Sequence, residues 1–379
     1  MTDPIVAPLP PAPVAEVPEP SAVEFPLGWL LDHAALPIRQ RAVAEVAQLT
    51  DVAAKTSWLP YTYAPAIELM LAQSADGTWN DALLALPSSR ATSEFEGVGT
   101  IHAIRRLLEY GWDKSSPPLA LSRRVLFRLL AEDDDPAYLL ELAPKGKPDD
   151  ELAAFWRQLV REAAAATLAQ AGYQDDPRLR GAARRILERT AEFLGSPLAD
   201  KPWVRVGNQQ VLAAEAAPPS IYTLHMLAHM PLVCTENYAA VDAIYTWISH
   251  SLPRQESIQL VGKKLVPTPF LALGDQLPHR NALEDDVPAG IAWLELMARL
   301  GFLRRHEPWM RMFERLLDDR DRDGVWHPHK GMALPRSHNP YVWASYPLEH
   351  PAGGEERWTD FTFRLGLIAR LAGREIELI

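Results

Sequence analysis

The residues whose types and spacing could do chemistry here are clustered acids and one pair of imidazoles. Glu132-Asp133-Asp134-Asp135 and Glu284-Asp285-Asp286 each stand directly before a proline-bearing segment, at Pro136 and Pro288. Acids in that position serve first as helix caps, because a carboxylate accepts from the free N–H groups of the first turn and is favoured by the helix dipole. Asp319-Arg-Asp321-Arg-Asp323-Gly324 has the alternating oxygens that open a calcium loop, but Lys330 stands where the closing bidentate Glu is needed, so it reads as a capped, solvated turn. Metal-assisted ionisation of a diphosphate would need Asp-Asp-x-x-Asp, and position 322 is Arg. His225 and His229 are four residues apart on one helix face, a spacing that can hold a metal. With Met226, Leu227 and Met230 around them and no Glu between, they read as packing residues. The single cysteine, Cys234, excludes an internal disulfide and any multi-thiolate zinc site. No metal and no cofactor are expected.

Acid pairs could also serve sugar chemistry, with Asp76, Glu94, Glu96 and Asp360 as carboxylates and Trp79, Trp343 and Trp358 as stacking faces. Their spacing does not require it. The chain has 12 Trp against 10 Phe and 10 Tyr, so indoles are used unusually often. Two of them close related turns, Gln73-Ser-Ala-Asp76-Gly77-Thr-Trp79 and Asp321-Arg-Asp323-Gly324-Val-Trp326. In each, a helix runs into a polar turn where Gly takes a backbone angle that other residues resist.

The elements that must position these groups are helical. Apolar residues recur at helical spacing from Pro37 onward, most strongly over Leu152 to Ala171, and Asp176-Pro177 marks a capped helix start. Residues 1–27 hold eight of the 34 prolines and read as a disordered Pro-rich tail that could dock a protein partner. Residues 28–379 read as a single domain, interrupted at 253–288 by a proline-rich insertion with a small hairpin around Gly262. A net charge of -11 argues against nucleic acid as a partner. No apolar run is long enough for a transmembrane segment, and no apolar leader is visible, so a cytoplasmic location is expected.

The Gly-x-Trp turns and the run Gly97-Val-Gly-Thr-Ile-His102-Ala-Ile-Arg-Arg-Leu-Leu-Glu-Tyr-Gly-Trp112 resemble the prenyltransferase/squalene-cyclase repeat family, in an uncharacterised bacterial branch. The resemblance implies an all-α fold, an α/α toroid around a central cavity, and a terpene-cyclase-like protein that binds an apolar, isoprenoid-type small molecule. It further implies protonation-initiated cyclisation as the candidate reaction, with Asp134, Asp285 and Asp286 in degenerate versions of the family's Asp-x-Asp-Asp motif as catalytic acids. Trp79, His102, Trp293, Trp326 and Trp343 are then the expected substrate-binding residues. The alternatives are a non-catalytic toroid used as a binding or scaffold module, and a carbohydrate-active toroid enzyme. Enzymatic activity is left open.

Overall fold

Half of the α-helices among the described residues start with a proline. One sits in the first turn of α2 (Leu36–Arg41), α4 (Ala64–Leu71), α6 (Pro117–Leu129), α8 (Pro177–Leu194), α9 (Pro197–Asp200), α11 (Pro231–Glu236), α14 (Val287–Arg299) and α15 (Glu307–Asp318). There the missing N–H costs nothing and the fixed φ suits the helix. The remaining helices are α1 (Leu27–His33), α3 (Thr50–Lys55), α5 (Thr100–Glu109), α7 (Asp150–Gln170), α10 (Ile221–Ala228), α12 (Tyr238–Ile248), α13 (Ala282–Asp285) and α16 (Thr359–Leu371). The computed structural model describes residues 22–379 except 88–93, 132–135, 144–149, 252, 254, 280, 327–336, 338 and 350–357.

Five helices form the centre. α5, α14 and α16 are buried almost all round, α7 over its C-terminal half with an alanine run at 163–166, and α10 over most of its length. They pack α5 on α7, α7 on α10, α10 on α14 and α14 on α16. A helix apolar on every side belongs in a core. Small side chains on α7 let α10 approach closely, and Gly366 on α16 does the same for the Phe25 ring, which a Cβ would meet at 2.3 Å.

Each Gly-x-Trp turn is a fastening device. Gly77 and Gly324 have φ of 91° and 77°, in the left-handed region that only glycine adopts without strain. Trp79 donates its indole N–H to Leu69 O at 2.8 Å and its backbone N–H to Thr100 Oγ1 at 3.1 Å. Trp326 repeats the arrangement with Leu317 O at 3.1 Å and Thr362 Oγ1 at 3.3 Å. Each indole therefore ties the end of one helix to the helix that follows, α5 in the first copy and α16 in the second.

The expected all-α toroid is corrected by two sheets. The described residues are mixed α and β. Strands β1 (Val23–Phe25) and β6 (Ile376–Leu378) pair in parallel, Val23 opposite Ile376. Val23–Phe25, within the stretch expected as tail, are thus part of a sheet. β2 (Trp203–Val206), β3 (Gln209–Leu212), β4 (Ile258–Val261) and β5 (Lys264–Pro267) make a four-stranded sheet in that order, two hairpins joined by the parallel contact of Leu212 with Gln259. The hairpin at Gly262 was expected; the one at Gly207-Asn208, a two-residue turn with Gly207 at φ 60°, was not. No helix among the described residues is long and apolar enough to cross a membrane.

Candidate functional site

At the centre, α5, α7, α10 and α14 leave a cavity of about 420 Å³. Residues of the proline-rich insertion (269–272, 276, 277, 282 and 286) and of 339–345 complete its lining. The insertion is therefore a wall of the site. Phe270, Leu271, Leu277, Trp293 and Leu296 give the cavity apolar surface, and Arg105, Glu109, His225, His229, Glu295 and Arg299 give it charged and polar groups.

The charged part of the lining rests on a closed ring of six alternating charges. Arg41 contacts Glu109 at 2.6 Å, Glu109 contacts Arg364 at 2.9 Å, and Arg364 contacts Glu295 at 2.8 Å. Glu295 meets Arg299 at 3.0 Å, Arg299 meets Glu45 at 3.7 Å, and Glu45 returns to Arg41 at 2.5 Å. Glu109, Glu295 and Arg299 line the cavity, while the other three stand behind them. The ring joins α2, the π-helical turn Ala42–Val46, α5, α14 and α16. Burial alone would push the Glu109 carboxyl up, but Arg41, Arg364 and Arg299 outweigh it and hold the group well below the usual carboxylate range. The same balance, with Arg364 and Arg299, keeps Glu295 low.

Arg105 is different. It is 4% exposed and lines the cavity, yet its only hydrogen bond among the described residues runs from Nε to Gln170 Oε1 at 3.2 Å. Gln170 is oriented for this by donating Nε2 to Glu109 Oε1 at 2.9 Å. No carboxylate among the described residues forms an ion pair with Arg105, and burial lowers its pKa.

α10 delivers the imidazoles. Ser220 caps it by accepting from Thr223 N at 3.0 Å, and donates its hydroxyl to Glu162 of α7 at 2.5 Å. That anchor aims His225 and His229 at the cavity. His229 Nδ1 donates to His225 O at 2.9 Å, which leaves its Nε2 as an acceptor. Burial, with the field of Arg299, pushes His229 down to about 4; burial and then Arg105 take His225 well below its ordinary value. Both rings are neutral at pH 7.

The expected site residues divide. Trp293 and Asp286 line the cavity. Asp286 caps α14, accepting from Ala289 N at 3.0 Å, and accepts from Ser337 Oγ at 2.9 Å, so it serves the helix start. Asp285 is exposed on α13 and does not line the cavity. Asp134 lies outside the described residues. Trp79 and Trp326 are fully buried fasteners away from the cavity. Trp343 lies under the Arg106 guanidinium at 5.3 Å and edge-on to Phe95. His102 is buried behind the lining, 6.5 Å from the Tyr341 ring. Asp321 spends its carboxylate on Asp323 N and Val325 N, and no cluster of metal-ligating side chains occurs among the described residues. Of the sugar-chemistry acids, Asp76 caps its own turn on Thr78, while Asp360 and Glu94 pair with Arg364 and Arg106.

Arg105, Glu109, Gln170, Glu295 and Arg299 were not anticipated as site residues. Their signal is a charge within an apolar helix: Glu295 and Arg299 interrupt the buried run of α14 four residues apart, as Arg105 and Glu109 do on α5. Compared with known family models, with curated proteins and with solved structures, the chain matches none.

Proposed function

We propose that this protein binds a small amphiphilic molecule in its central cavity. The observation that carries the reading is the mixed lining: aromatic and aliphatic groups of α14 and the insertion occur together with guanidinium, carboxylate and imidazole groups of α5, α10 and α14. Pockets for organic ligands combine an apolar body with a few placed polar groups in this way. An entirely hydrocarbon ligand such as squalene would leave the Arg105 guanidinium and the imidazole edges dry and without a partner, at a cost of several kcal/mol by the usual penalty for burying polar groups (~2–7 kcal/mol each). The isoprenoid expected from the sequence is retained here in a narrower form, a short chain bearing a polar head.

Binding rather than chemistry is the better reading of these groups. Glu109 and Glu295 are held ionised by arginines and Asp286 is engaged as a cap, so among the described residues the lining offers no carboxyl poised to give up a proton to an alkene. The test follows Trp293 fluorescence in the full chain during titration with geraniol, geranyl diphosphate and squalene, with Trp293→Phe as the blank. A saturable response to a headed isoprenoid and none to squalene is expected. If squalene alone responds, or cyclised product appears by mass spectrometry, the reading is wrong.

A further inference from the structure

We propose that Arg105 is the anion-binding residue of this cavity, and that the polar head of the ligand is a carboxylate or a phosphate. The inference rests on the cavity being a ligand site and adds what the ligand must carry. Arg299, the other arginine in the lining, already has Glu295 and Glu45 as partners. Arg105 has only the neutral Gln170 oxygen, on its Nε, so its two terminal nitrogens face the cavity without an acceptor among the described residues. A guanidinium is always charged and presents its N–H groups in a planar fork that matches two anionic oxygens. Leaving it buried and unpaired is costly, whereas a bound anion supplies the missing partner.

A second group points the same way. The Trp293 indole Nε1 is buried, has no hydrogen-bond partner, and belongs to a side chain of the lining. It is a donor only. It is thus an unpaired donor on a lining side chain, in a lining that also holds the acceptor Nε2 of His229. His225 and His229, neutral at pH 7, add polar edges without adding a cation that would compete with the fork for the anion.

Gln170 completes the arrangement. Because its amide nitrogen is committed to Glu109, its oxygen must face Arg105 and hold the Nε edge of the guanidinium. The ring carboxylate thus fixes the fork without neutralising it. Gln170 is a positioning residue, and Arg105 makes the contact.

The experiment uses the full chain and four probes of similar shape: benzoate, phenyl phosphate, and the neutral benzamide and benzyl alcohol, titrated by calorimetry. An anionic probe is expected to bind at least tenfold more tightly than the neutral ones, and Arg105→Met should erase that preference while leaving the neutral probes unchanged. Tight binding of benzoate over phenyl phosphate assigns the carboxylate, and the reverse order the phosphate. Without ligand, Arg105→Met should unfold at the same or a higher temperature, since it removes a buried charge that has no ion-pair partner. Arg105→Lys, which keeps the charge but loses the fork, should retain only part of the preference. Neutral probes binding as well as the anions, with affinity sensitive to filling the cavity, would overturn the anion assignment and leave the cavity reading in place. A ratio unchanged in Arg105→Met, or a marked loss of thermal stability in that variant, assigns Arg105 a structural role instead. Failure of all four probes to bind overturns both readings.

Discussion

Arg364 on α16 reaches Glu109 on α5 at 2.9 Å, linking the two helices that the Trp79 and Trp326 turns fasten in place. The same guanidinium holds Glu295 at 2.8 Å, so one side chain joins three of the buried helices. Its side chain is 3% exposed, where neither water nor salt can substitute for a lost partner.

Removing one member of the ring should therefore cost more than a surface pair. Glu109→Gln leaves Arg41 and Arg364 without the carboxylate they share, and we expect a loss of about 3 kcal/mol in urea unfolding, within the range for breaking buried pairs. A double-mutant cycle with Arg364→Gln should show coupling of about 1 kcal/mol or more. Strictly additive losses would mean that the two groups do not act on each other.

Stability should fall on the acid side in two stages. His225 and His229 have folded pKa values below the ordinary value of about 6.5, so as pH drops below 6.5 the unfolded chain takes up protons first and folding weakens. That loss continues down to about 4 for His229. Glu109 adds a second loss where ordinary carboxylates titrate, since its depressed folded pKa makes the ionised form stabilising above that range. Replacing both histidines by Gln should flatten the first stage by about two protons in a plot of unfolding free energy against pH and leave the second intact. An unchanged slope between pH 6.5 and 4 would show that these rings do not titrate on unfolding.

Much of this was legible in the sequence, and the part that was not has a physical reason. The Gly-x-Trp spacing announced a turn closed by an indole, and Asp176 and Asp286 announced capped helix starts; these depend on neighbours within a few residues. Apart from the hairpin at Gly262, the strands were hidden because they are three or four residues long, and β1 and β6 pair across the chain, Val23 with Ile376. The charged ring was hidden for a related reason. An arginine at 364 inside Phe361-Thr-Phe-Arg-Leu-Gly-Leu-Ile must find a partner, yet its partners lie on α5 and α14 and cannot be read from local spacing. The acids that stood out in sequence, Asp285 and Asp286, stood out because they sit together at a helix start, which is what capping requires. Glu295, which lines the cavity from α14 and belongs to the charged ring, stands alone among apolar residues.

The indoles give opposite predictions according to place. Trp79→Phe and Trp326→Phe each strand a backbone carbonyl, of Leu69 and of Leu317, and should lose about 1–3 kcal/mol of stability with ligand affinity unchanged. Trp293→Phe gives up an N–H that has no partner and should keep its stability while altering affinity. Thermal unfolding with and without a bound probe separates the two cases. Affinity lost in Trp79→Phe at normal stability would return that residue to the binding site.

Filling the cavity is the most direct check on its use. Ala292 lies on α14 one residue before Trp293 and lines the space, partly exposed to it. A tryptophan there has room to enter a cavity of about 420 Å³ without displacing the ring behind Glu295 and Arg299. Ala292→Trp should keep the unfolding temperature within a few degrees of the parent, because added apolar contact offsets the ordering of one large side chain. It should lower affinity for any cavity ligand at least tenfold, since ligand and indole would compete for the same volume. If Ala292→Trp folds normally and binds as tightly as the parent, the ligand sits elsewhere, and the polar groups around Arg105 are a feature of the core alone.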